Sequence, residues 1–277
     1  MRTLADRVAV VTGAGSGIGR AVAGELVARG CHVALVDLDA AALDATAAAL
    51  ARSGRRVSTH VVDVAARDAM RALPDAVLAE NGRVHVLVNN AGVAIDGCFE
   101  DLALEDVQWL VDTNLWGVIH GCKFFLPHLR REPEAHIVNV SSLFGLIGVP
   151  ENSAYCATKF AVRGFSESLA EELAGTGVRV TCVHPGGVRT NIVRRARVRD
   201  ASRRRALVDD FDRVARMTPE TAARRIVAAI ERDASRVRLG PETVVADWMK
   251  RMAPVTTQWL IGRLYRRAQA RLSAARP

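Results

Sequence analysis

Tyr155 and Lys159, four residues apart in SAYCATKF, are the first pair whose types and spacing suggest chemistry. In a helix, that spacing puts both side chains on one face. A phenol with a pKa of roughly 10 is a poor base at neutral pH. A lysine ammonium about 4 Å away, at an effective dielectric of about 20, is worth roughly 4 kcal/mol, or about three pKa units. That shift would bring the phenol into the range useful for proton exchange. Ser142 stands thirteen residues before Tyr155, directly after the strand-like HIVNVS. Its hydroxyl could hold a substrate oxygen while Tyr155 exchanges the proton. The chain has 2 tyrosines and three lysines beside 35 arginines, which argues against an idle role for this pair.

A second motif suits phosphate. Val8-Ala9-Val10-Val11-Thr12 runs into Gly13-Ala14-Gly15-Ser16-Gly17-Ile18-Gly19. Glycines between a strand and a helix let the backbone approach a pyrophosphate, and the helix N-terminus adds free N–H groups. Asp37 closes the next strand-like run, 18 residues beyond Gly19. A carboxylate there can accept hydrogen bonds from an adenosine ribose and would repel a 2′-phosphate. Leu38 beside it supplies no guanidinium, so the pattern predicts NAD over NADP. The alternative is that Asp37 only caps a helix beginning near Asp39.

These residues need a frame. Short β-branched runs alternate with longer helical segments such as Ile18–Arg29 and Asp39–Arg52. The runs are Arg7–Thr12, His32–Asp37, Val57–Asp63, Val84–Asn89, His136–Ser141 and Val178–His184, with a weaker seventh at Arg236–Gly240. Nearly all-apolar strands indicate burial on both faces. Alternation with helices implies an α/β fold: a Rossmann-like, doubly wound parallel sheet of about seven strands, with helices on both faces and ligands beyond the strands' carboxyl ends. No linker divides residues 1–185. We expect one catalytic domain over 1–240, a flexible substrate flap at about 190–217, and a basic amphipathic extension over 241–277.

Composition narrows the class. The 277 residues are 49% hydrophobic and 25% charged, which excludes a disordered chain, a collagen and a coiled-coil rod. No apolar run approaches the roughly 18 residues that span a bilayer. The N-terminus runs directly into a strand, so no cleavable leader is expected. The 5 cysteines form no CxxC pair. They read as packing groups in a reducing, cytoplasmic setting, and no metal site is expected. Charge is uneven: residues 189–277 carry 22 Lys+Arg against 9 Asp+Glu, whereas the rest has a small acidic excess. RRARVRDASRRR (194–205) holds seven of those arginines. Thr218-Pro219-Glu220 reads as a capped helix start.

Taken together, TGAGSGIG (12–19), NNAG (89–92), Asn114, Ser142, Tyr155-Cys-Ala-Thr-Lys159 and HPGGVRT (184–190) give the chain a strong resemblance to the short-chain dehydrogenase/reductase family. The match is continuous over residues 5–190 and looser beyond. The resemblance implies that Gly13, Ser16, Gly17, Ile18 and Gly19 surround the pyrophosphate and adenosine ribose. It implies adenine contacts from Asp63 and Val64, and a cofactor wall of Asn90, Ala91 and Gly92. Asn114 would sit in a kinked helix and hold a water that relays protons to Lys159. With Ser142, Tyr155 and Lys159 it completes a catalytic tetrad, and Tyr155 and Lys159 also meet the cofactor. Pro185, Gly186, Val188 and Thr190 would flank the nicotinamide, and His184 would be a structural neighbour of the cofactor. The expected activity is hydride transfer between NAD(H) and a secondary alcohol or ketone. The alternatives are an NADPH-dependent carbonyl or 3-oxoacyl-thioester reductase and, more remotely, a non-catalytic dinucleotide-binding scaffold.

Pocket walls in this family come from the segments after the fourth and fifth strands and from the flap. Val93, Ile95, Phe99, Leu143, Phe144, Leu146, Ile147 and Val149 would give a hydrophobic substrate an apolar wall. A homodimer or homotetramer is the family's habit. The tail sets Trp248, Met252, Trp259, Leu260, Leu264 and Tyr265 against Arg251, Arg263, Arg266 and Arg267. It reads as a solvated face, an oligomer contact or a peripheral membrane contact. No nucleic-acid motif accompanies the charge, so no nucleic-acid partner is expected.

Overall fold

The computed structural model describes residues 1, 3–198 and 201–274, with backbone alone for 201–203 and 268–274. Seven strands form one parallel sheet: β1 (Val8–Thr12), β2 (His32–Asp37), β3 (Val57–Val61), β4 (Val86–Asn89), β6 (Ala135–Val140), β7 (Val178–Pro185) and β9 (Arg236–Leu239). Their spatial order is β3-β2-β1-β4-β6-β7-β9. The order reverses between β1 and β4, and such a switch point opens a crevice beyond the strand ends. A separate two-stranded parallel ribbon pairs β5 (Ile95–Asp96) with β8 (Arg197–Val198).

Every residue of β1 is buried, as a strand covered on both faces requires. One face packs on α1 (Gly17–Ala28), α2 (Ala40–Leu50) and α8 (Pro219–Glu231), through Val22, Leu26, Leu43, Ile226 and Ile230. The other face carries α3 (Arg67–Asn81), α5 (Gly117–Leu129) and α6 (Ser153–Glu172), through Met70, Val77, Phe125, Val162 and Leu169. The expected sheet is present. β3, however, stops two residues short of Asp63, because its register partner β2 ends with Asp37 opposite Val61. Asp63 instead shapes the turn, its Oδ1 accepting from the Ala65 N–H at 2.9 Å.

Thr218 caps α8, its side chain accepting from the Thr221 N–H, with Pro219 in the first turn. α4 (Leu104–Val111) passes into α5 through a π-helical turn, Asp112–Trp116. The expected flap has structure of its own: β8 and α7 (Ala201–Val214). Residues 199 and 200 of that flap lie outside the described residues, as do 275–277 of the extension. After β9, α9 (Pro241–Met252) and α10 (Pro254–Ala274) form a helical hairpin.

Candidate active site

A cavity of about 830 Å³ lies at the switch point. Its first end is the glycine turn. Gly13 and Gly17 have φ of 67° and 53°, left-handed values that an L side chain resists. A Cβ on Gly19 would collide with the Gly13 carbonyl oxygen. Gly19 therefore closes the turn from behind and does not itself line the cavity, whereas Gly13, Ser16, Gly17 and Ile18 do. Asn90 straps the turn to β1: its Nδ2 donates to the Thr12 carbonyl at 2.9 Å. Thr12 Oγ1 accepts the Asn90 and Ala91 N–H groups, both at 3.0 Å.

Asp37 lines the same end. Its Oδ2 accepts from the Gly15 N–H at 2.9 Å, and its Oδ1 from the Asp39 N–H at 3.1 Å. The cap of α2 is Asp39, which accepts from the Ala42 N–H at 3.0 Å. Asp37 is thus held by the turn, with no helix to cap. Asp63, Val64, Asn90, Ala91 and Gly92 continue the wall, and Pro185, Gly186, Val188 and Thr190 close the far side.

Ser142, Tyr155 and Lys159 converge at the cavity floor. Ser142 leaves the end of β6, while Tyr155 and Lys159 share one face of α6. Burial pushes the Tyr155 phenol up to about 12, against a hydrogen bond with Ser142 that pulls it down. Burial also lowers Lys159 to about 8. The lysine Nζ donates to the Val140 carbonyl at 3.1 Å and lies 5.7 Å from the Tyr155 ring centre. The lysine is thus held at the end of β6, on the same side of α6 as the phenol. Ser142 Oγ accepts from the Phe144 N–H at 3.1 Å, and the Phe144 ring meets Tyr155 edge-on.

Asn114 occupies the π-helical turn, so the expected kinked helix is present. Its side chain is buried behind the cavity wall. Oδ1 accepts from the Val93 N–H at 2.8 Å and Nδ2 donates to the Val93 carbonyl at 2.9 Å. A Cβ added to Gly92 would stand 3.1 Å from Asn114 Oδ1 and 3.4 Å from Lys159 Nζ, so the three groups meet at one point. His184 does not line the cavity. It is buried behind Ser142, with Nδ1 3.1 Å from the Ser142 carbonyl, and burial lowers it to about 4. It steadies the serine's backbone.

At the other end the cavity is mainly apolar, with a few charged groups on its wall. Val93, Ile95, Leu143 and Phe144 line it as expected. Phe99 is exposed, Leu146 and Ile147 are buried in packing, and Val149 lies off the lining. The expected flap contributes Leu207, Phe211 and Val214 on α7, and Trp109 on α4, outside the expected wall segments, also faces the cavity. The carboxylates Asp96 and Asp210, within those segments but not singled out from the sequence, line it too. A periodic apolar pattern on α7 was the one available signal, and the surrounding arginines masked it. Of the cysteines, Cys31, Cys122, Cys156 and Cys182 are buried as packing groups and Cys98 is half-buried.

A family model described as short chain dehydrogenase matches residues 7–201. The oxidoreductase SadH of Mycobacterium tuberculosis is 43% identical over 264 residues, covering 94% of this chain and 96% of that protein. A short-chain dehydrogenase/reductase from Burkholderia phymatum, solved with NAD, superposes with a TM-score of 0.84 at 31% identity, covering 91% of this chain and 95% of that one. An alcohol dehydrogenase from Thermococcus sibiricus, solved with 5-hydroxy-NADP, gives a TM-score of 0.72 at 26% identity, covering 84% and 94%.

Proposed function

The chain belongs to the short-chain dehydrogenase family of oxidoreductases, and from that premise we propose that it moves a hydride between NAD(H) and a secondary alcohol or ketone with an apolar body. The observation that carries this reading is one continuous cavity: a phosphate-sized glycine turn at one end, Ser142, Tyr155 and Lys159 at the floor, and an apolar chamber beyond. The residues fit a dinucleotide. The turn's left-handed glycines let a pyrophosphate approach the backbone at the start of α1, and Asp37, beside the turn, is a carboxylate suited to ribose hydroxyls.

When bound, the nicotinamide supplies the hydride acceptor or donor. The protein's part is orientation and proton handling. Ser142 holds the substrate oxygen beside Tyr155. The buried phenol keeps its proton at neutral pH, so it is a ready acid for a ketone. In the oxidative direction it must first lose that proton, and Lys159 is the cation placed to favour the loss. Residues 1–240 serve as one catalytic domain, working as a homodimer or homotetramer.

The test is titration of purified protein with NADH and NADPH, alongside Asp37→Ala. NADH should bind at least about tenfold tighter, and the variant should narrow the gap. Equal or tighter NADPH binding would favour a reductase of carbonyls or acyl thioesters.

A further inference from the structure

The hairpin of α9 and α10 is built with its polar groups inward. Thr243 is fully buried, its Oγ1 donating to the Leu239 carbonyl at 3.1 Å. Asp247 is buried and gathers Arg238 at 3.0 Å, Arg251 at 3.1 Å and Arg236 at 3.4 Å. Thr257 is buried and donates to the Met249 carbonyl at 2.9 Å. Gln258 donates to the Gly148 carbonyl at 3.0 Å, fixing α10 to the segment that supplies Leu143 and Phe144 to the cavity.

The apolar groups face out. Val245, Trp248, Met249 and Met252 recur at i, i+3, i+4 and i+7, so they form one stripe along α9. Val255 and Trp259 follow on α10. Trp248 is 58% exposed, Met252 77%, Val255 81% and Trp259 53%. A helix normally turns such a stripe to the core. Here the inward side is taken by the anchors of Asp247 and Thr243.

The charge beside the stripe has one sign. From Trp248 to the end of the chain there are seven Lys+Arg and no Asp or Glu. Arg263 lies over the Trp259 ring at 5.2 Å, and Arg266 and Arg267 are exposed beside it. We propose that this outward face of the hairpin docks on an anionic phospholipid surface, with the stripe in the headgroup boundary and the arginines on the lipid phosphates. Tryptophan and arginine at one level suit that boundary. No helix among the described residues is long and apolar enough to cross a membrane, so the hairpin lies on the surface. A two-fold contact with a second copy would set basic hairpin against basic hairpin with no carboxylate on α10 to pair them. α9 also begins at the cavity, where Glu242 lines the wall and accepts from the Gly187 N–H at 3.0 Å. The docked face and the cavity therefore share one helix.

The test is flotation of the full chain with phosphatidylcholine vesicles, with and without phosphatidylglycerol, at low salt and in about 0.5 M NaCl. Binding is expected to the anionic vesicles alone, weakening in high salt, with a blue shift of tryptophan emission. The pair Trp248→Ser and Met252→Ser should weaken binding at least about tenfold. The pair Arg263→Ala and Arg266→Ala should weaken it about 30-fold, and this second pair serves if the first does not fold. Both should leave NADH binding unchanged, so failure here is separable from failure of the hydride-transfer reading. Absent binding, equal binding to neutral vesicles, or a lipid-free protein whose mass falls when the stripe is removed would each overturn the proposal. The last result would assign the face to a second copy.

Discussion

The two ends of the cavity are held by different kinds of bond. At the cofactor end the walls are strand ends, and the closing contacts involve backbone: Gly15 on Asp37 and Asn90 on Thr12. At the substrate end the roof is β8 and α7, and beyond the two-residue pairing of β8 with β5 it is side chains that pin it. Arg197 lies over the Trp109 ring at 3.8 Å and pairs with Asp106 at 2.6 Å. Arg195 reaches over to Asp39, the cap of α2, at 3.8 Å, while Arg194 ties the roof to itself through Asp212 on α7. Contacts that tie strand ends together open only with much of the fold, whereas exposed ion pairs are each worth about 1 kcal/mol or less. The difference predicts a fixed floor and a roof that lifts for substrate.

The largest effect should come from removing one atom of the floor without moving it. Tyr155→Phe keeps the ring against Phe144 and deletes the proton. We expect kcat to fall by at least about two decades with NADH binding within about twofold, measured by steady-state rates and fluorescence titration. Retained turnover would mean that another group moves the proton.

That floor was legible in the sequence because local rules specify it. A strand, a glycine turn and a helix must be consecutive, and Tyr155 and Lys159 need only a helix to share a face. Asp37 was placed because β2 must end there to pair with β3. Of the roof, the segment was legible and the residues that face the cavity were not, for the opposite reason. α7 meets the cavity through Leu207, Phe211 and Val214, but its sequence neighbours are arginines whose partners, such as Asp106, are distant in the chain. Spacing shows that a lysine is near the phenol but not that the Val140 carbonyl holds its ammonium. The hairpin's amphipathic pattern was visible, yet its direction was not. Only the fold shows that Asp247 claims the inner side.

A buried ammonium gives a second way to sharpen the comparison. The folded Lys159 sits at about 8 against an ordinary 10.5, so the fold prefers the neutral amine. Below pH 8 the charged form costs roughly 3 kcal/mol, and this cost fades as pH rises toward the ordinary value. Lys159→Met removes the cost but leaves the Val140 carbonyl without its donor, a loss of about 1 kcal/mol. At pH 7 we expect Tm to rise by about 4 °C while turnover collapses, with the Tm gain shrinking by about pH 10. A lower Tm at pH 7 would show that the floor is preorganised for the charge.

The smallest effect should come from the roof. Arg197→Ala removes a cation–π contact and an exposed ion pair, together about 1 to 2 kcal/mol. The ribbon of β5 and β8 still pairs Ile95 with Arg197 through the backbone, so the fold should survive. If the roof lifts for substrate, the variant populates the open form more. KM for the alcohol should then rise about fivefold while NADH binding stays constant, because the cofactor end does not depend on this contact. Arg197→Lys keeps the charge for Asp106 but loses the flat guanidinium over Trp109, so it should recover only part of the KM. Equal damage to NADH binding and to KM would show that floor and roof move as one body, and the comparison would fail.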